Sequence, residues 1–145
     1  MTTRIAVILA DKGSEVWSLG PTRSVLDAID MMADKHVGAL AVVGDSGKLE
    51  GIISERDYAR KVILVGKSSR ATPVTEIMTR DVIYVTPDIT VDQCMALMTA
   101  RRVRHLPVLE DGDALVGMIS VGDLVKSIIS DQEHVIEQLE AYIRG

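Results

Sequence analysis

Two segments of this chain carry residue types suited to holding a small anionic ligand. They are Gly51-Ile52-Ile53-Ser54-Glu55-Arg56-Asp57 and Gly117-Met118-Ile119-Ser120-Val121-Gly122-Asp123. Each runs an apolar stretch into a serine that starts a helix. The first-turn N–H groups of a helix have no intrahelical partner and sit at the positive end of its dipole. They hold a phosphate readily, and the hydroxyl of Ser54 or Ser120 adds a hydrogen bond. The carboxylate three residues on, Asp57 or Asp123, would repel a phosphate, but it accepts two hydrogen bonds from a ribose cis-diol. The glycine before the apolar pair lets a ligand approach the strand end closely. Phosphate at the serine and ribose at the aspartate together describe a nucleotide. The competing structural reading is a capping box, in which Ser-x-x-Asp only closes the start of a helix.

The two segments are the ends of a longer repeat. Residues 16–58 fall onto 82–124 without a gap at an offset of 66, placing Pro21 on Pro87, Val25 on Val91, Met32 on Met98, Leu40 on Leu106 and Val42 on Val108. A repeat of this length is a supersecondary unit that needs its twin to bury its apolar face. Within each copy the elements read alike. Short β-rich runs, Val16–Leu19 and Val82–Val85, end near a proline. Ser24 and Thr90 are N-caps for helices over Val25–Lys35 and Val91–Arg101, whose apolar residues recur at helical spacing. Ala39–Val43 and Leu106–Leu109 read as buried strands. Turns at Gly44-Asp45-Ser46-Gly47 and Glu110-Asp111-Gly112-Asp113 lead to third strands, Leu49–Ile53 and Leu115–Ile119. The order per copy is strand, helix, strand, strand, helix. This gives a lead-in helix and loop over 1–15, a first copy over 16–65, a linker and lead-in turn over 66–78, a second copy over 79–130 and a further helix over 131–145. Val135, Ile136, Leu139 and Tyr142-Ile143 form an apolar stripe on that last helix. It packs either on its own domain or at a subunit interface.

Composition limits the partners. Of 145 residues, 47% are hydrophobic, enough for a sizeable core, and only 3% are aromatic, so Val, Ile, Leu, Ala and Met fill it. No apolar run reaches the roughly 20 residues of a membrane helix. The net charge of −5 argues against nucleic acid as a partner. One cysteine, Cys94, makes no internal disulfide and fits a cytoplasmic setting. It reads as a small core residue rather than a nucleophile. His36, His105 and His134 lack metal-ligand spacing, and no phosphate-binding glycine loop or nucleophile elbow occurs. The expectation is a protein that is not an enzyme and requires no metal.

In this order and twice over, these motifs are specific. Residues 16–124 resemble a pair of CBS domains, the regulatory modules named after cystathionine β-synthase. The resemblance rests on both Gly-apolar-apolar-Ser-x-x-Asp endings, on Val37-Gly38-Ala39-Leu40-Ala41-Val42-Val43 and its twin Val103-Arg104-His105-Leu106-Pro107-Val108-Leu109, and on Glu76-Ile77-Met78 before the second copy. It implies an α/β (α+β) fold of two β-α-β-β-α units packed through their sheets about a pseudo-two-fold axis. It further implies clefts for adenosyl ligands such as AMP, ADP, ATP, NAD, NADH or S-adenosylmethionine. Carried over residue by residue, Asp57 and Asp123 bind ribose and Ser54 and Ser120 bind phosphate. Gly38, Ala39 and Leu40 frame one adenine, and His105, Leu106 and Pro107 the other. Lys12, Gly13, Arg60, Thr79 and Arg80 are further candidates. Such modules commonly pair, so a homodimer that signals to a downstream protein is expected.

The copies differ at two places. Gly38-Ala39 of the first stands opposite Arg104-His105 of the second, and Glu55-Arg56 opposite Val121-Gly122. Arg56 and Arg104 carry guanidinium groups suited to phosphate. Two clefts with different ligands or affinities are therefore expected, as against a nucleotide-free interaction scaffold in which both motifs only cap helices.

Overall fold

The structure, a computed structural model, describes residues 3–13, 15–112 and 114–144. The last residue of the second turn, Asp113, and the ends of the lead-in and C-terminal segments lie outside the described residues. The chain folds as α1 (Ile5–Lys12), β1 (Ser18–Leu19), α2 (Val25–Lys35), β2 (Ala39–Val43), β3 (Leu49–Ser54), α3 (Glu55–Tyr58), α4 (Val91–Arg101), β4 (His105–Glu110), β5 (Ala114–Ser120) and α5 (Val121–Arg144). β1 runs parallel to β2, and β2 antiparallel to β3. In the second copy β4 and β5 pair antiparallel.

The pseudo-two-fold relation is visible in detail. Ala39 pairs with Ser54 and His105 with Ser120. The register slips once in each hairpin, after Val42 and after Val108. Ser24 and Thr90 each close a capping box, accepting from the N–H of Asp27 and Gln93. Both helices then end on a left-handed residue, His36 at φ 56° and Arg102 at φ 54°.

The copies depart from one plan in two places. The second copy has only a single parallel bridge, Val85 to Val108, where the first has β1. The expected second helix of the first copy lasts one α-turn. It then widens into a π-type turn over Ala59–Ile63, where the Leu64 N–H reaches back five residues to the Ala59 carbonyl. In the second copy that helix runs unbroken for 24 residues. The apolar stripe over 131–144 thus continues the second copy's own helix. Only the first half of α5 packs on its domain, through Leu124 and Ile128. From Gln132 onward it is exposed on every face.

Each copy has its own core, and each core borrows from the segment that leads into the other copy. Ile5, Ile8 and Leu9 of α1 pack with Val91, Met98, Leu106, Ile119 and Leu124 of the second copy. Backbone bonds from the N–H groups of Ile5 and Ala6 to the carbonyls of Ile89 and Pro87 fix α1 there. Conversely, Val74, Ile77 and Met78, which lead into the second copy, pack with Val25, Met32, Leu40 and Ile53 of the first. Thr79 bonds Ile52 in both directions, at 2.8 and 3.0 Å. The two lead-in segments therefore cross. Fully burying an aliphatic side chain stabilises by about 1.5–3 kcal/mol, so each crossed segment contributes substantially to the neighbour's core.

Candidate functional site

The crossing explains the glycine of each motif. A Cβ on Gly51 would lie 2.6 Å from Met78 Sδ and 2.8 Å from the Thr79 carbonyl oxygen, and a Cβ on Gly117 would lie 2.5 Å from Leu9 Cδ2. The space over the strand is taken by the crossed segment, not by a ligand. The expectation that Gly51 admits a ligand is corrected accordingly: the close approach is real, but its occupant is the chain itself.

At the end of β3, Ser54 and Asp57 form a capping box. The Ser54 N–H and hydroxyl both donate to Asp57 Oδ2 at 3.0 Å, and Ser54 Oγ accepts from the Asp57 N–H at 3.2 Å. Asp57 Oδ1 remains toward Lys61, 3.0 Å away. The second motif forms the same box, with the Ser120 N–H donating to Asp123 Oδ2 at 2.8 Å and Ser120 Oγ accepting from the Asp123 N–H at 3.1 Å. So the helix-capping role holds in both copies, and the first box offers a ligand the Asp57 oxygen that faces Lys61.

Those surroundings differ. Around the first box lies a cleft of about 730 Å³, open to solvent, lined from both copies. Gly38, Ser54, Arg56, Asp57 and Arg60 reach it from the first copy, and Arg104, His105 and Leu106 from the second, with Thr79 between. Ala39, Leu40 and Pro107 lie on the same strands but are buried and do not line it. Arg80 turns away, donating to the Thr75 carbonyl at 2.9 Å. Sequence reasoning did not select Glu55, Asp81, Val82, Ile83, Arg102 and Val103, which complete the lining together with Ile52 and Lys61. Two signals were available: Lys61 lies one helical turn beyond Asp57, and Val82-Ile83 is the β-rich run that opens the second copy.

Lys12 stands at the second box. Its ammonium lies 2.7 Å from Asp123 Oδ2 and donates to the Met118 carbonyl at 2.9 Å. Burial raises the pKa of Asp123, but bonding from Lys12 and the Ser120 N–H, with the charge of Lys12, outweighs it and holds the carboxyl below its ordinary value. The lead-in residue thus engages the second carboxylate, as Lys61 engages the first from its own helix. Gly13, at φ 91°, ends α1 just beyond it.

His105 joins the halves. Its Nε2 would lie 3.3 Å from a Cβ on Gly38, so glycine there makes room for the imidazole. The difference between Gly38-Ala39 and Arg104-His105 is therefore partly one of packing: a ring on one copy fills a gap in the other. Burial lowers the pKa of His105, against the charges of Asp123 and Glu55 and with those of Lys12 and Arg104.

A cleft between two copies of one β-α-β-β-α plan, with a Ser-x-x-Asp box at its floor, is the arrangement that the resemblance implied. The family model of the CBS domain matches residues 3–64 and again 74–130. The chain belongs to the CBS-domain family. It is similar to the CBS domain-containing protein CBSX3 of Arabidopsis thaliana, named as mitochondrial, with 41% identity over 152 residues, 99% of this chain and 73% of that one. A solved protein with CBS domains from Burkholderia ambifaria is 53% identical, superposes with a TM-score of 0.85, and covers 90% of this chain and 96% of that chain. The CBS domain pair of protein MJ0100, solved with 5-methylthioadenosine and S-adenosyl-L-methionine, is 25% identical with a TM-score of 0.80, covering 90% and 99% of the two chains. The α/β CBS-pair fold with its C-terminal helix is thereby established. The matched spans begin at residue 3, so the crossed helix α1 falls within the CBS match.

Among the described residues no group of three His, Cys, Asp or Glu side chains is placed to hold a metal, and no helix is long and apolar enough to cross a membrane. Cys94 is free and buried in the second CBS core, and burial pushes its thiol up to about 11, far from the reactive range.

Proposed function

We propose that this CBS pair is a regulatory module, without catalytic activity or a metal, that binds an adenine nucleotide in the cleft beside Asp57. The observation that carries the reading is a carboxylate set among cations from both copies. Asp57 accepts the ribose hydroxyls by exchanging its contact with Lys61. Ser54, through the helix start it caps, and Arg56 and Arg104 hold phosphate. The adenine lies between Val82-Ile83 and the Gly38, His105 and Leu106 wall. A ligand gripped by both copies favours one arrangement of them by its differential affinity, and this is how the nucleotide level reaches a downstream protein. The bound adenosyl compounds of the MJ0100 pair support the ligand class. AMP, ADP, ATP, NAD and NADH are the ligands to test, and the buried free thiol suits a reducing setting such as the cytoplasm.

Asp57 lines this cleft and Asp123 does not, so binding there depends on Asp57 and not on Asp123. Calorimetric titration with AMP, ATP, NADH and S-adenosylmethionine checks this. Asp57→Ala is expected to lower the affinity at least ten-fold, while Asp123→Ala leaves it within a factor of three. If no compound binds the unaltered protein at millimolar concentration, the scaffold alternative stands instead. In that alternative the capping boxes serve the fold alone.

We further propose that the module is a homodimer. Val135, Ile136, Leu139 and Ile143 are 52%, 54%, 57% and 81% exposed on a helix that has left its own domain. A contiguous apolar stripe of this kind marks an interaction surface. Sedimentation of the full chain is expected to give twice the monomer mass, and Ile136→Glu a monomer. A monomeric unaltered protein refutes the proposal.

A further inference from the structure

Two exposed apolar surfaces of this chain carry opposite charge. The first is the end of the π-type turn in the first copy. Ile63, Leu64 and Val65 stand there in succession, all exposed, Leu64 by 78%. Consecutive apolar side chains in water are a liability unless something covers them. The chain around them is basic. Residues 59–70 hold Arg60, Lys61, Lys67 and Arg70 and no acid. Lys61 pairs with Asp57 and Lys67 with Glu76. Arg60 and Arg70 form no ion pair among the described residues.

The second surface is the half of α5 that has left its domain. At 1.5 Å per residue it projects about 20 Å. Its apolar face runs through Val125, Ile129, Ile136, Leu139 and Ile143, so the stripe begins on the packed half and continues along the free half. Glu133, Glu137 and Glu140 recur at four and three residues along one edge of it. Glu140 meets Arg144 at 4.0 Å, whereas Glu133 and Glu137 form no ion pair among the described residues. Between Lys126 and Arg144 the helix holds no lysine or arginine.

Each surface supplies what the other lacks. Two tails laid together would cover their apolar faces but leave Glu133 and Glu137 without counter-charge. The basic patch covers apolar side chains and offers two unpaired guanidinium groups to the carboxylates. Within its own chain the tail reaches no such surface, being exposed on every face from Gln132 onward.

We infer that the tail of α5 docks on the Ile63–Val65 patch of a second copy of this chain. Glu133 and Glu137 then lie toward Arg60 and Arg70. Under two-fold symmetry the contact is made twice, tail to patch and patch to tail. This rests on the homodimer reading above and deepens it, because it names the surface that receives the stripe. Arg60 also lines the cleft, so the docking surface and the cleft share one stretch of chain.

Equilibrium sedimentation of the full chain tests the inference. Leu64→Glu is expected to weaken the dimer at least ten-fold with the circular dichroism unchanged, although it lies far from the tail in sequence. Glu133→Lys with Glu137→Lys is expected to weaken it about ten-fold, and adding Arg60→Glu with Arg70→Glu to bring it back within threefold. A dimer that survives Leu64→Glu overturns the inference and leaves the homodimer reading standing. An unaltered protein that is monomeric overturns both. Cross-linking with a short bismaleimide gives a second measurement, since Cys94 is buried. The double variant Leu64→Cys/Leu139→Cys is expected to give a covalent dimer, and each single variant none. Covalent dimer from Leu139→Cys alone places the tails together, and an internal link at monomer mass places the tail on its own patch. Either result overturns the inference, as does no cross-link in the double variant.

Discussion

Replacing Ile5 by alanine is expected to lower the stability of the whole protein by about 2–5 kcal/mol, the range for truncating a fully buried isoleucine. Ile5 is 0% exposed and sits in the core of the second copy, although it belongs to the segment before the first. The loss is large against a typical total of 5–15 kcal/mol. It should appear as a lower denaturant midpoint with an unchanged slope. Hydrogen exchange locates it: protection should fall first in β4 and β5, which α1 covers, and later in β2 and β3. A loss below 1 kcal/mol, or early exchange confined to β2 and β3, contradicts the crossed arrangement.

The second large effect is expected at Gly51. An added methyl meets Met78 Sδ at 2.6 Å and the Thr79 carbonyl at 2.8 Å. The sulfur can swing aside, but the carbonyl is held in the paired bonds between Thr79 and Ile52. Relief means parting that pair, at about 1 kcal/mol for each hydrogen bond, on top of overpacking worth about 1–3 kcal/mol. Removing glycine from a strand returns only about 0.5–1 kcal/mol. Gly51→Ala is therefore expected to cost about 2–4 kcal/mol. Because Thr79 lines the cleft, the substitution should also weaken nucleotide binding. Gly117→Ala meets only the side-chain end of Leu9 and should cost roughly half as much or less. Thermal or chemical unfolding of the two variants side by side decides the matter, and equal losses at both glycines would show that the Thr79 carbonyl is not the obstacle.

Much of this fold is legible in the residues because local chemistry determines it. Ser24 and Thr90 announce their helices by capping, and α2 and α4 span the residues their apolar spacing marks. The buried runs at Ala39–Val43 and Leu106–Leu109 become β2 and the centre of β4. What the residues do not disclose is where a segment docks. The spacing of Ile5, Ile8 and Leu9 shows an apolar face, and nothing in that spacing says which sheet it covers. For the same reason the close approach over Gly51 is readable while its occupant is not. Lys12 was legible as a neighbour of the ligand region. Its bond to Asp123 depends on α1 lying across the other copy, a relation 111 residues apart in the chain. Arg102 follows the predicted helix Val91–Arg101, and only the meeting of the copies places it in one cleft lining with Arg56.

The offset of 66 residues points to a chain made by doubling a half-length ancestor, yet the crossed segments leave no half that is complete. Cut between the copies, each piece would keep the plug of its sister's core and lack its own. What is inherited as two parts therefore assembles as one, through contacts such as Ile5 to Ile89 that close long loops of chain and carry the entropic cost of closing them. The same interlock means that neither copy can turn without pulling on a helix or strand edge rooted in the other. If a nucleotide binds in the cleft as proposed, it would bear on both interiors at once, and its arrival would be felt beyond the walls it touches.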